Sequence, residues 1–385
     1  MSKFLGPAPM RMFSTATLIG ASLLSLQSCV PWGTEVQEFA DPESEILREV
    51  SRNAIPSLAA WVVKDSAIVW QQYYGMADRA SQTAADRNTI YGVASISKLV
   101  VVTAAMQLVE RGLIDLHTDI NTYLPFSVRN PSFPNEAITS YHLMTHTSGL
   151  NWPESEAEVP GFYANFPMDA APPLEVWLPQ FLLPQGEHFV PAIWIGNRPG
   201  TREYYSNIGV ALLAYVVEVV SGVDFNTYCK QNLFDPLEMF STSYAYQDLD
   251  LGNLATLYGP GRTAISFSRQ RAYPAGDLKT TIEDFSHFII AYMNGGRYRT
   301  VRILEEATVD DVLTMRNPAS GKALIWDRTL GDWYGHAGGK DGVAAYVEFQ
   351  RDRNVGLMVV SNYRHDSVYP GGKIHALARR IADSW

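Results

Sequence analysis

The stretch Tyr91-Gly92-Val93-Ala94-Ser95-Ile96-Ser97-Lys98 carries the chain from a short apolar segment ending near Ile90 and Tyr91 into the long run 99–109. Leu99, Val102, Met106 and Val109 recur at helical spacing and Gly112 suits a helix stop, so Ser95 is predicted at a helix N-terminus. On a helix Ser95 and Lys98 are three residues apart on one face, close enough to exchange a proton. A serine hydroxyl attacks carbonyls poorly until a neighbour removes its proton, and a helix start adds a positive field and free N–H groups. Ser followed one turn later by Lys is therefore a nucleophile with a built-in base. For that role Lys98 must be able to lose its proton, although a free lysine titrates near ~10.4. Burial or a neighbouring cation has to pull it down.

By itself the Ser-x-x-Lys spacing is common by chance in a chain so rich in serine. Two further stretches stand beside it in chain order: Tyr205-Ser206-Asn207 and His336-Ala337-Gly338-Gly339. With all three, the chain resembles the serine beta-lactamase and penicillin-binding-protein superfamily, in particular its class-C-like branch of D-alanyl-D-alanine carboxypeptidases, D-aminopeptidases and lactamase-like esterases. Tyr91-Gly92-Val93-Ala94, Leu143-Met144-Thr145-His146-Thr147-Ser148-Gly149-Leu150 and Pro199-Gly200 resemble that branch too, and the likeness runs from about 55 to 382.

The resemblance implies roles. Ser95 is the nucleophile that forms an acyl-enzyme, and Lys98 its proton partner. Tyr205 either takes the Ser95 proton or passes one to the leaving group. Asn207 hydrogen-bonds Lys98 and the acyl-side amide of the substrate, or else merely begins the following helix. His336-Ala337-Gly338 replaces the more familiar Lys-Thr-Gly and faces the carboxylate or leaving-group side. Gly338 lets substrate backbone approach, and the N–H groups of Gly339 and Ser95 form the oxyanion hole.

The fold implied is α+β: an antiparallel sheet flanked by helices and built from both chain ends, with an inserted, mostly helical domain. Residues 49–114 and 285–385 are expected to form the sheet domain and 115–284 the helical one. Segments 57–63 and 67–73, rich in Val, Ile, Trp and Tyr, read as a hairpin turning at Lys64-Asp65-Ser66. Segments 344–350 and 355–362 alternate around Arg351-Asp352-Arg353-Asn354, and 373–384 makes a final helix. Residues 207–220 form the clearest helix of the middle, stopped by Gly222. Residues 151–200, dense in Pro, Trp and Phe, cannot be one regular element and are expected to line or cap a site.

Composition narrows the function. With 46% hydrophobic and 18% charged residues in 385, the chain has ample apolar surface to bury and is not disordered. Its net charge of -10, without basic runs, argues against nucleic acid as a partner. Lys3, Arg11, an apolar stretch over 12–26 and Leu26-Gln27-Ser28-Cys29 read as an export signal over 1–28, resembling that of a bacterial lipoprotein. Cys29 would then carry lipid and attach the protein to a membrane in the periplasm or at the cell surface, with 29–48 as tether; a plain cleaved leader is the rival. Cys229, inside a helical pattern, is expected to be a small buried hydrophobe. His142 and His146 are four apart, but no third ligand with suitable spacing follows, so no metal or organic cofactor is expected. Lys340 and Asp341 line the site rim or are turn residues facing water. No Gly-x-Ser-x-Gly elbow occurs.

These features predict an exported serine hydrolase that cleaves a small-molecule ester, amide or peptide, with esterase or D-amino-acid peptidase activity favoured over efficient beta-lactam turnover. The alternative is a catalytically silent relative that binds penicillin or cell-wall peptide.

Overall fold

In the computed structural model, residues 41–153, 157–317, 321–329 and 331–385 are described. The leader, Cys29 and most of the tether lie outside them. The end of the expected tether departs from expectation: Pro42–Arg52 is a helix, α1. Asp41 caps it by accepting from the Ser44 N–H, Pro42 opens it, and Glu43 and Glu45 sit in its first turn, where the helix dipole favours acids. Ile46 and Val50 bury its apolar edge.

The sheet is antiparallel and seven-stranded, with strands β1 Ser57–Lys64, β2 Ala67–Asp78, β3 Thr83–Ala84, β4 Asp327–Thr329, β5 Trp333–Lys340, β6 Val343–Gln350 and β7 Val355–Ser361. Their order is β4-β5-β6-β7-β1-β2-β3, so β1 from the front of the chain pairs directly with β7 from its end. Both ends of the chain thus form one layer, as expected. Between β1 and β2 the turn places Asp65 and Ser66 at positive φ, 48° and 72°, which tightens the hairpin.

β1, β6 and β7 are buried on both sides, so the alternation expected of β6 and β7 gives way to mostly apolar strands covered on both faces. On one face Ala345, Val347 and Phe349 meet the larger core with α2 Ser97–Glu110, α3 Asn207–Ser221 and α4 Ile282–Met293. On the other, Ala344 and Tyr346 meet the smaller core with α1 and α5 Lys373–Asp383. α2 is buried nearly all round, consistent with an apolar helix at the centre of the larger core. At ~1.5–3 kcal/mol for each fully buried Leu or Val side chain, its packing holds the helix in place far more firmly than propensity could. α3 ends at Gly222, φ 77°, a left-handed stop that glycine adopts without strain. Cys229 is buried.

Candidate active site

Tyr91–Gly92 pairs with Lys279–Thr280 and delivers the chain into a single 3-10 turn, Ala94–Ile96, that precedes α2. Ser95 therefore stands one turn ahead of the helix proper, a small displacement from the expected N-terminus. Ala94, immediately before it, has φ 46°, a left-handed conformation that costs a non-glycine residue energy. The turn is held by its surroundings. Ser97 donates its hydroxyl to Ala94 O at 2.5 Å and accepts the Leu278 N–H at 3.1 Å, tying the nucleophile turn to the segment 272–278.

Lys98 is 0% exposed, and its Nζ donates to Ser95 Oγ at 2.9 Å and to Ala275 O at 2.6 Å. Burial pushes its amine well below the ordinary lysine value. Nζ also lies 4.8 Å from the centre of the Tyr205 ring. The Tyr205 phenol is pushed up by burial, and a hydrogen bond with Ser95 offsets part of that rise. The structure thus brings Ser95, Lys98 and Tyr205 into one contact group.

Asn207 stands apart from that group. It begins α3 behind the cap Ser206, which accepts the Gly209 N–H, and its buried Oδ1 has no partner among the described residues. The hydrogen bond expected from Asn207 to Lys98 is replaced by one to a backbone carbonyl, that of Ala275. A carbonyl is available from any residue, so the sequence held no signal for it.

β5 brings the third motif. A Cβ on Gly338 would sit 2.0 Å from Val93 O and 3.3 Å from Ser95 N, so only glycine lets this strand lie against the nucleophile turn. A Cβ on Gly339 would meet Tyr369 Oη at 2.6 Å; that hydroxyl donates to Gly338 O at 3.1 Å. Tyr369 is a supporting residue that no motif announced. His336 is 4% exposed and its Nδ1 donates to Ala337 O at 2.7 Å, which leaves Nε2 as an acceptor. Burial, above all, lowers its pKa to about 3, so this imidazole is neutral.

Lys340, on the same strand, donates to the buried Asp277 at 2.5 Å, while Asp341 is exposed in the turn that follows. His142 and His146 do not share a helix face, because the helix Ser140–Met144 stops between them. His142 Nδ1 accepts the Thr139 N–H at 3.3 Å and His146 Nδ1 accepts the Ser206 N–H at 3.2 Å, so both rings serve the backbone. Among the described residues no group of three His, Cys, Asp or Glu side chains could hold a metal ion. From the aromatic loop, Trp152 lies 4.6 Å from the Tyr205 ring.

An antiparallel sheet from both chain ends, with a Ser-x-x-Lys turn under it and a tyrosine from the helical part, defines the beta-lactamase/transpeptidase-like class. The chain belongs to the Beta-lactamase family, whose family model matches residues 37–379. It is 27% identical over 244 residues to the putative penicillin-binding protein PbpX of Bacillus subtilis, covering 62% of this chain and 55% of that protein. The chain thus spans little more than half the length of that curated relative. A penicillin-binding protein from Bacillus halodurans superposes with a TM-score of 0.69 at 24% identity, over 89% of this chain and 98% of that one. A class C beta-lactamase gives 0.70 at 19% identity, over 89% and 95%.

Proposed function

We propose that this protein is a serine hydrolase that cleaves an ester or amide bond through an acyl-enzyme on Ser95, favouring an ester or a D-amino peptide over a beta-lactam. One observation carries it: the buried Lys98 amine, 2.9 Å from Ser95 Oγ, has no carboxylate partner among the described residues. An amine so placed is neutral and basic, whereas the Tyr205 phenol, pushed up by burial, keeps its proton. Lys98 is therefore the base of acylation and Tyr205 the relay.

In the proposed cycle Ser95 Oγ attacks the carbonyl carbon while its proton passes to Lys98 Nζ. The carbonyl oxygen, now negative, is met by the N–H groups of Ser95 and Gly339; loss of one such donor typically costs ~10²–10³ in rate. Collapse of the tetrahedral intermediate breaks the bond to the leaving alkoxide or amine, which takes a proton from Lys98 through Tyr205. Water then attacks the acyl carbonyl and gives a proton to the same pair; the bond to Ser95 Oγ breaks, Ser95 takes that proton back, and the acid is released. Asn207, whose buried Oδ1 is unpartnered among the described residues, is assigned to the acyl side of the substrate.

The neutral His336 supports the substrate preference. Where a lysine would offer a fixed cation to a beta-lactam or D-alanine carboxylate, this ring offers only an Nε2 acceptor. Purified enzyme and Ser95→Ala are to be incubated with p-nitrophenyl butyrate, nitrocefin and a D-alanyl peptide amide, which has no free carboxylate, with intact-protein mass spectrometry. Ester or peptide turnover that vanishes in Ser95→Ala is expected. Nitrocefin hydrolysis far above both would reverse the preference, and stable acylation by penicillin without release would make the protein a binder. Export and lipid attachment through Cys29 belong to the same proposal, tested by labelling with palmitate and its loss in Cys29→Ser.

A further inference from the structure

His146 lies two residues past the end of the helix Ser140–Met144, at φ 56°, a left-handed conformation uncommon for any residue but glycine. Its ring is 5% exposed. Three contacts from this one residue fall on three consecutive residues of the tyrosine motif. His146 O accepts the Tyr204 N–H at 2.7 Å. Its ring centre lies 4.6 Å from that of Tyr205, tilted by 38°. Its Nδ1 accepts the Ser206 N–H at 3.2 Å. The neighbouring segment continues the zip, with the Gly200 N–H bound to Thr147 O at 2.8 Å.

Accepting at Nδ1 fixes the tautomer: the proton of the neutral ring is on Nε2. A protonated ring would turn a second donor toward the Ser206 N–H and push the motif away. The backbone strain has the same sense, because only with the chain folded back at this residue can carbonyl and ring reach the motif together.

We propose that His146 is a positioning residue for Tyr205, aiming its phenol at Ser95 by gripping the backbone on either side of it and the ring between. The inference rests on the serine-hydrolase reading above, in which Tyr205 moves a proton at Ser95. A packing residue would make ring contacts alone. His146 instead clamps both flanking amides, leaving the phenol little freedom, and a displacement of about 1 Å at a reacting group is enough to cost ~10²-fold.

A double-mutant cycle separates the two roles. The rate of Ser95 labelling by a fluorescent phosphonate is measured for the wild type, His146→Ala, Tyr205→Phe and the double variant. Positioning predicts a loss of ~10–100-fold for His146→Ala when Tyr205 is present, and less than ~3-fold in the Tyr205→Phe background. Equal losses in both backgrounds overturn it. His146→Asn, which tolerates positive φ and keeps an acceptor near the Nδ1 position, restores most of the rate, whereas His146→Gln, with its amide one bond too far out, does not. Should His146→Ala fail to fold, the Asn and Gln pair carries the comparison.

A second readout does not depend on activity. With 3-fluorotyrosine incorporated, the Tyr205 resonance, assigned by its loss in Tyr205→Phe, is a single line in the wild type that shifts or broadens in His146→Gln and holds in His146→Asn. An unmoved resonance in His146→Gln overturns the inference. A wild type that no phosphonate labels sinks the hydrolase reading instead, and the fluorine spectrum still decides whether His146 holds Tyr205.

Discussion

The two faces of the sheet each set a cation against apolar walls, and they treat it in opposite ways. In the larger core Lys98 meets a hydroxyl, a carbonyl and an aromatic ring, but no carboxylate among the described residues. In the smaller core Arg379 donates to Glu348 at 2.6 Å, with His375 3.0 Å from the same oxygen and the Trp333 ring 3.7 Å from the guanidinium. Glu348 is 1% exposed. A cation beside a buried carboxylate is an ion pair that fastens α5 to β6. A buried amine without one is pushed well below the ordinary lysine value, as a base requires. The difference lies in what each face offers, since a residue's basicity is set by burial and partners together.

Removing each cluster should break the molecule differently. Lys98→Met is expected to slow Ser95 labelling by ~10²–10⁴-fold, the range for losing a positioned proton acceptor. At pH 7 it should also melt higher than the wild type, because folding no longer has to strip a proton from a lysine that holds one when unfolded. The sign follows from proton counting: the folded lysine binds fewer protons than the unfolded one, so wild-type stability rises with pH up to about 10. Melts at pH 7 and pH 9.5 should show the advantage of Lys98→Met shrinking; an advantage independent of pH would mean Lys98 is charged in the fold.

Glu348→Ala removes the acceptor that Arg379 and His375 share and should cost ~2–3 kcal/mol in urea unfolding, the range for hydrogen bonds to a charged group. Labelling of the folded protein should stay as in the wild type. A loss below ~1 kcal/mol would show that the rear cluster is no more than a surface ion pair.

His336 sharpens the contrast. Its folded pKa of about 3 lies below the unfolded value near ~6.5, so this residue lowers stability as pH falls through that window. The effect of this one residue is about 1.4 kcal/mol per pH unit, or about 2 kcal/mol at pH 5 relative to pH 7. Urea titrations of wild type and His336→Gln should differ in slope against pH by that amount; parallel curves would mean the ring is protonated when folded. Tyr369→Phe is the smallest case. Losing its hydrogen bond to Gly338 O should cost about 1 kcal/mol and slow labelling about fivefold.

Much of the architecture could be read along the chain because its signals are local. Runs rich in Val, Ile, Trp and Tyr marked β1 and β2, helical spacing marked α2, and Gly222 marked the end of α3. The helix α1 is hard to read from the chain although Asp41, Pro42 and Glu43 form a clear start, since its many charged residues look like a solvated segment until the sheet supplies something for Ile46 and Val50 to cover. In the site, Ser95, Lys98 and Tyr205 were legible as motifs. Tyr369 was not, because a tyrosine against a glycine carries no spacing rule; His146 stood out only within the stretch 143–150, with nothing to say that it would meet Tyr205. The zinc spacing of His142 and His146 dissolved for the same reason: the helix that would have aligned them ends between them.

What the chain alone determined is which side chains can do chemistry here and the order of the elements that carry them, because both depend on residue type and on periodicity within a few turns. Only the fold decided their protonation. Lys98 is pushed well below the ordinary lysine value, His336 is kept neutral and Arg379 is half of an ion pair according to which carboxylates and carbonyls lie within a few ångströms. Ala275 reaches Lys98 from 177 residues away and Glu348 reaches Arg379 from a different element, 31 residues away, so no local pattern encodes them.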